Sequence, residues 1–350
     1  MSDIVSPRWP MLRVALVGCG AVAEYYHLPA LLACPDVEVV ALVDPSVERA
    51  RALAQRANAP YTFSNHGELV GRVDLAVVAV PNALHEAVAY DLLAAGVHVL
   101  VEKPMGRTTA ECDRMIAAAA ARRVVLAVGH DFRFFPIARF AKDWFAAAPL
   151  GPIRRVDVRQ SAGNRWPSVL PDVLSRNAGG GALITFGIHL VDLLCWWLGE
   201  LRVVAYRDDA MGGVEAEAEC EFALADGAPV LLELSWLREM RDTAIVECAR
   251  GTVEIGIHEP AVIRVSVGDA STLVGNVPDQ TFERAPLCTV FRRQLEDVVT
   301  AIRGAGAPLI GGLDGRRAVG IVEACYAMRQ PLTRPWNYPQ AYSVTRRTAD

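Results

Sequence analysis

Hydrophobic and polar positions along this chain follow two different grammars. From Leu12 to about residue 130, short apolar runs alternate with longer stretches of helical period. Leu12–Val17, Val37–Val43, Asp74–Val80, Val97–Val101 and Val124–Val128 read as strands; the residues up to about Ala33, those closing at Ala57, His85–Ala95 and Thr109–Arg122 read as the helices between them. Strand and helix taking turns predict a parallel, doubly wound α/β sheet. After Gly129 the pattern changes. Pro136–Ala148 reads as one amphipathic helix, and strands then follow without helices between them: Ile153–Ala162, Leu201–Tyr206, Val214–Ala223, Ala228–Leu237, Thr243–Cys248, Thr252–Ile257 and Val262–Val267. Asp226-Gly227 and Arg250-Gly251 sit where hairpin turns are needed. A meander of this length predicts a large, mostly antiparallel open sheet with helices on one face and a second subunit over the other, hence a homodimer or homotetramer. Phe291–Arg303 and Gly315–Arg329 read as closing helices. The expected division is a nucleotide-binding domain over 1–130, an α+β domain over 131–330 for substrate and assembly, and a tail over 331–350.

Composition narrows the function. A chain of 350 residues with 52% hydrophobic side chains can fill two cores. Thirty-five basic against forty acidic residues give no positive field, so a nucleic-acid partner is not expected. The eight cysteines are scattered without a C-x-x-C pair and read as reduced thiols of a cytoplasmic protein. The opening MSDIVSPRWP carries prolines where a signal peptide needs an apolar core, and no apolar run nears the roughly 18 residues of a membrane span.

Three stretches carry chemistry. The first strand runs into Gly18-Cys19-Gly20-Ala21-Val22-Ala23, a G-x-G-x-x-A turn before a helix, where backbone N–H groups can hold a pyrophosphate. The second strand ends in Asp44, followed by Pro45. A carboxylate there accepts from a ribose 2′-hydroxyl and repels a 2′-phosphate, so NAD is expected over NADP; Asp44 is equally placed to cap the next helix. The second stretch, VLVEKPM, stops a buried strand at Glu102, Lys103 and Pro104. Charges at the carboxyl end of a parallel strand lie where such sheets bind ligands, and burial there moves a lysine from about 10.4 towards neutrality. Proline keeps Lys103 extended and also permits a cis bond. The third stretch is GGGALITFGIHLVD. Its glycines let backbone approach a ligand, and the helix after them is apolar nearly all round except at His189. Thr185 and His189, four apart, share a face, with Asp192 three further on. Alone, His189 could be a satisfied core residue; beside the other two stretches it reads as a proton acceptor. A zinc helix is not expected, because His85-Glu86 is followed by Ala89 where the second histidine would stand.

The ordered set GCGAVA, VDP, AVPNALHEAV, AAGVHVLVEKP and GGGALITFGIHLVDLL, with the late helix DGRRAVGIVEACYAM, resembles the Gfo/Idh/MocA oxidoreductase family from about Leu12 to Arg329. The resemblance implies a Rossmann domain followed by an α+β domain, and a nicotinamide-dependent oxidoreductase of a sugar, cyclitol or nucleotide sugar. It implies that Gly18, Gly20 and Ala23, with Ala21 and Val22, hold the pyrophosphate and Asp44 with Pro45 the adenosine ribose. Val80, Pro81, Asn82, His85 and Glu102 would line the nicotinamide half, Lys103 would reach cofactor and substrate, and His189 would be the general base. One position departs from the family: its usual aspartate four before the histidine is Thr185, so either His189 is catalytic but less basic, or Asp192 partly substitutes, or the chain is not an ordinary dehydrogenase. Arg133, Arg165 and Trp166 are further candidates for substrate contact. Two other classes stay open beside the dehydrogenase: a hydrolase or lyase that oxidises a ring carbon only transiently, and a dinucleotide-bound sensor without catalysis.

Overall fold

The computed structural model describes residues 10–161, 179–210, 213–257, 262–267, 270–276 and 286–332. The first half is a six-stranded parallel sheet in the order β3-β2-β1-β4-β5-β6, formed by β1 (Leu12–Val17), β2 (Val37–Val43), β3 (Tyr61–Phe63), β4 (Leu75–Val78), β5 (His98–Glu102) and β6 (Leu126–Gly129). Its central strands are buried on both faces, which explains their unbroken apolar runs. Strand β3 was not expected. It has three residues, two of them exposed, and such an edge leaves no periodicity to read. The helices are α1 (Leu28–Leu32), entered through a widened π-type turn over Ala23–His27, then α2 (Val47–Ala57), α3 (His85–Ala94) and α4 (Thr109–Arg122). Ser46 and Thr108 cap α2 and α4 by accepting from the backbone N–H three residues on, so the capping role open to Asp44 falls to Ser46.

Helix α5 (Pro136–Ala147) leads into the second sheet, whose order is β14-β13-β12-β11-β7-β10-β9-β8-β15. These strands are β7 (Ile153–Ser161), β8 (Arg202–Asp208), β9 (Glu217–Ala223), β10 (Pro229–Ser235), β11 (Thr243–Cys248), β12 (Gly251–Gly256), β13 (Val262–Val267), β14 (Ala270–Asn276) and β15 (Arg329–Pro331). It is mostly antiparallel but is not a meander. After β7 the chain leaves through α6 (Ile188–Leu198), returns at β8, one strand in from the far edge, and works back until β10 pairs parallel with β7. Strand β15 adds a second parallel pair at β8. The β11–β12 hairpin turns through Ala249 and Arg250, one residue earlier than expected, with Gly251 already paired to Cys248.

Helix α6, whose residues are buried almost without exception, shares one apolar core with this sheet. The outer face does not need covering on apolar grounds. Across it run Glu221, Leu231, Asp157, Ile245, Glu254 and Arg264 in register, with the pairs Arg155–Asp157, Arg159–Glu233 and Arg207–Glu221 beside them. Two late helices, α7 (Pro286–Ile302) and α8 (Gly312–Ala327), return to the first half. Leu295, Val298 and Val299 of α7 join the core around Val14 and Leu16, and Val128 donates to the Ile310 carbonyl, so the halves share their packing. The expected tail, except for its first two residues, lies outside the described residues.

Candidate active site

The glycine turn closes β1 for two separate reasons. Gly18 has φ +91°, and a Cβ there would stand 2.3 Å from the Ala79 carbonyl oxygen, so its own fold requires glycine. At Gly20 a Cβ would meet no protein atom within 4 Å. That open space, over a turn that starts a helix at the carboxyl edge of a parallel sheet, fits a dinucleotide pyrophosphate. Asp44 is buried, and its carboxylate accepts from the Cys19 N–H at 2.9 Å and the Ser46 N–H at 2.8 Å, with the Arg49 guanidinium 3.1 Å away. It fastens the glycine turn to β2. Ala21 and Val22 are half-buried, Ala23 is buried, and Pro45 is exposed beside Asp44.

At the end of β4 and β5 the expected nicotinamide-side residues divide. Val80 and Asn82 are half-buried and Pro81 is exposed. His85 turns inward: Nδ1 meets the Pro104 carbonyl at 2.6 Å and Nε2 the Val80 carbonyl at 2.8 Å, clamping the two strand ends together. Two carbonyls favour the imidazolium, but burial outweighs them and holds its pKa down. With both ring nitrogens engaged by the fold, His85 is a brace and not a ligand contact. Asn82 donates to the Gly179 carbonyl at 3.2 Å and so ties the halves together. Glu102 is also committed: Oε1 lies 2.8 Å from His27 Nε2, and Oε2 accepts from the Lys103 N–H at 3.2 Å. Burial pushes this carboxyl up, but the hydrogen bond and charge of His27, with Lys103, bring it below its ordinary value.

Lys103 stands beyond, its bond to Pro104 cis, and its Nζ donates to the Thr185 carbonyl at 2.7 Å. Thr185 belongs to a second π-type turn, Leu183–Gly187, which opens directly into α6. Both chain entries to the site therefore use a widened turn, a feature that collects at functional positions. Burial lowers the Lys103 pKa against the opposing pull of Glu102 and Asp131. One helical turn after Thr185 comes His189, 7% exposed, with its Nδ1 3.3 Å from Asp131 Oδ1. Phe132 stacks on the imidazole at 4.2 Å between centroids and 13° between planes, and His130 meets it edge-on. Asp131 opens a short 3-10 turn, Asp131–Phe134, just past β6, the strand beside β5. Burial, then the like charge of Glu102, raises its pKa to about 7.

Several expected contacts fall elsewhere. The Thr185 hydroxyl donates back to the Gly181 carbonyl and does not serve His189. Asp192 is bound bidentately by Arg133, at 2.8 and 2.6 Å, and Arg133 also reaches Asp314 at 3.1 Å. Arg133 is 2% exposed, so it is a core clamp and not a substrate contact, and Asp192 cannot stand in for the missing aspartate. Gly181, with φ +132°, makes room for the protein's own Glu215, which would lie 2.5 Å from a Cβ. Glu215 in turn accepts from the Leu183 N–H at 3.0 Å and the Tyr326 hydroxyl at 2.8 Å, so it anchors the π-type turn. Arg165 and Trp166 lie outside the described residues. His27, Asp131 and Glu215 are the site residues that sequence reasoning missed.

Known proteins share this fold. Residues 12–130 match the model of an oxidoreductase family with an NAD-binding Rossmann fold, and residues 138–254 match the GFO/IDH/MocA C-terminal domain. The chain is 30% identical to a putative UDP-kanosamine synthase oxidoreductase subunit of Amycolatopsis mediterranei, over 90% of this chain and 95% of that one. It is 28% identical to the rhizopine catabolism protein MocA of Rhizobium meliloti, over 95% and 98%. Among solved structures, a 3-ketoreductase from Actinomadura kijaniata with NADP and TDP-benzene superposes at a TM-score of 0.80 and 22% identity, covering 92% of this chain and 99% of that one. An aldose-aldose oxidoreductase from Caulobacter crescentus gives 0.80 at 24%, covering 91% and 97%. At these identities the structural likeness speaks for the fold.

Proposed function

The chain belongs to the Gfo/Idh/MocA oxidoreductase family, and from that premise we propose that it moves a hydride between NAD(P) and a hydroxyl or keto carbon of a sugar-like substrate, with Lys103 and His189 as the groups that handle the proton. One observation carries the reading: Lys103 Nζ sits on the Thr185 carbonyl, one helical turn from His189, at the carboxyl end of the parallel sheet. The bound nicotinamide supplies or accepts the hydride. The chain's own residues do the rest. The Asp131 carboxylate lies 3.3 Å from His189 Nδ1, and the His189 imidazole exchanges the proton of the reacting hydroxyl. The Lys103 ammonium stabilises the developing alkoxide, and the carbonyl of Thr185 holds it in place. Gly18, Gly20 and the turn through Ala23 would cradle the pyrophosphate, with Asp44 keeping that turn in shape.

Relatives include a putative UDP-kanosamine synthase oxidoreductase subunit and a dTDP-sugar 3-reductase of Streptomyces violaceoruber, which favours a nucleotide-linked sugar over a free cyclitol. NAD remains the proposed cofactor, from the carboxylate at the end of β2. However, Arg49 compensates that charge and is 60% exposed at its side chain, so NADP should be weakened and not excluded. Arg49→Ala should lower affinity for NADPH several-fold more than for NADH in fluorescence titrations; equal losses would remove Arg49 from the ribose site. All eight cysteines are unpaired, which supports a reducing cytoplasm. A homodimer or homotetramer through the charged outer face of the second sheet is our proposal for assembly, read by light scattering. No helix among the described residues is long and apolar enough to cross a membrane.

The test is a panel of UDP- and TDP-linked sugars and their keto forms, followed by nicotinamide absorbance and by product analysis. Net absorbance change with a matched oxidised or reduced sugar supports the reading. Product released without any net change would replace it with transient oxidation.

A further inference from the structure

The family's carboxylate for this histidine is missing from the helix, yet the histidine is not without one. Asp131 Oδ1 lies 3.3 Å from His189 Nδ1, and it comes from the other half of the molecule, at the end of the strand next to Lys103. The following residue, Phe132, stacks on the same imidazole. Stacking fixes the plane of the ring, and a carboxylate at its edge fixes which nitrogen faces which way; two consecutive residues thus set the whole orientation. The residue that should have done this from inside the helix, Thr185, spends its hydroxyl on the Gly181 carbonyl and its carbonyl on Lys103.

We propose that Asp131 is the positioning residue of His189, a carboxylate relocated from the helix to the end of the first sheet. This rests on His189 being the proton-exchanging group. The charged and titratable groups facing the pair are Lys103 and Glu102 from β5, His27 behind Glu102, Tyr26 on the turn before α1, His130 on the neighbouring backbone, and the Arg133–Asp192 clamp on the far side. Lys103 is the cation among them nearest in effect to Asp131. An ammonium facing the carboxylate favours its charged form, and a charged Asp131 3.3 Å from the ring favours the protonated imidazole.

A structural alternative exists, because the Asp131 carboxylate also accepts from the backbone at the start of its own turn. Asp131→Asn separates the two, since it retains an acceptor for the turn and removes the charge. The readout is the histidine titration by NMR of protein labelled at the imidazole carbons, with the His189 signal identified by its loss in His189→Asn. In Asp131→Asn the His189 pKa should fall by about one unit or more, and adding Thr185→Asp on that background should bring it back up. An unchanged His189 titration in folded Asp131→Asn protein would overturn the proposal. No substrate is required, so it is decided separately from the redox reading, which fails or stands on the sugar panel and on NADH binding.

Discussion

Two contacts cross the junction between the same turn and the same helix, and they behave as opposites. Arg133 grips Asp192 through two hydrogen bonds of 2.8 and 2.6 Å, takes Asp314 as well, and is sealed at 2% exposure. Two residues before it on the turn and three before its partner on the helix, Asp131 and His189 meet through one contact of 3.3 Å. The first pair has opposite fixed charges and filled valences, so nothing is left for it to do but hold. The second pairs an imidazole with a carboxyl whose pKa burial raises to about 7, so the carboxyl can gain or lose a proton near neutrality. A clamp one turn away fixes the distance that the reactive pair needs, which is how a site gains precision from its supporting contacts.

Breaking the clamp should have the largest effect. Arg133→Met strands a buried carboxylate, and chemical denaturation should show a loss of about 3–5 kcal/mol. Arg133→Met with Asp192→Leu should recover much of it, because two apolar side chains of similar volume leave no charge behind; a double variant as unstable as the single one would mean that the clamp acts through its geometry and not its charge.

The reactive pair should instead reveal itself in pH dependence. The Asp131 carboxyl has a folded pKa of about 7, above the ordinary aspartate value, so the folded state binds the proton more tightly than the unfolded chain. Its contribution to stability is therefore full below about pH 4 and is lost as pH rises to about 7. Asp131→Asn should flatten that part of the curve of urea midpoint against pH, whereas an unaltered slope would mean that Asp131 titrates normally.

The smallest effect is expected from restoring the family residue. Thr185→Asp adds a second carboxylate near His189, favours its charged form, and should move the acid limb of the kcat/KM profile for alcohol oxidation to higher pH by about half a unit to one unit. An unmoved limb would mean that position 185 is too far from the imidazole to matter.

Much of this architecture can be read from periodicity. Leu12–Val17, Val37–Val43, Thr109–Arg122, Thr243–Cys248 and Val262–Val267 begin and end where the pattern places them, because each is bounded by a polar residue, a turn or a cap that competes with its continuation. The crossing that sets β7 between β10 and β11 could not be read, since pairing across such distances depends on how α6 packs and not on any local preference. The site divides in the same way. Lys103 and His189 are legible because each interrupts an apolar run. Asp131 and Arg133 sit together in an aromatic stretch, and their partners lie 58 and 59 residues further on, so spacing says nothing about which is reactive. His27 looks like an ordinary helix residue until Glu102 is found 75 residues away against it.

The central claim is that Lys103 and His189 act on one reacting carbon beside a bound dinucleotide. It is tested most directly by Lys103→Met, with NADH binding followed by fluorescence and turnover of the active sugar by nicotinamide absorbance. The account predicts that binding persists within a few-fold while kcat falls by about 10²–10⁴. Turnover at the wild-type rate in that variant would contradict it.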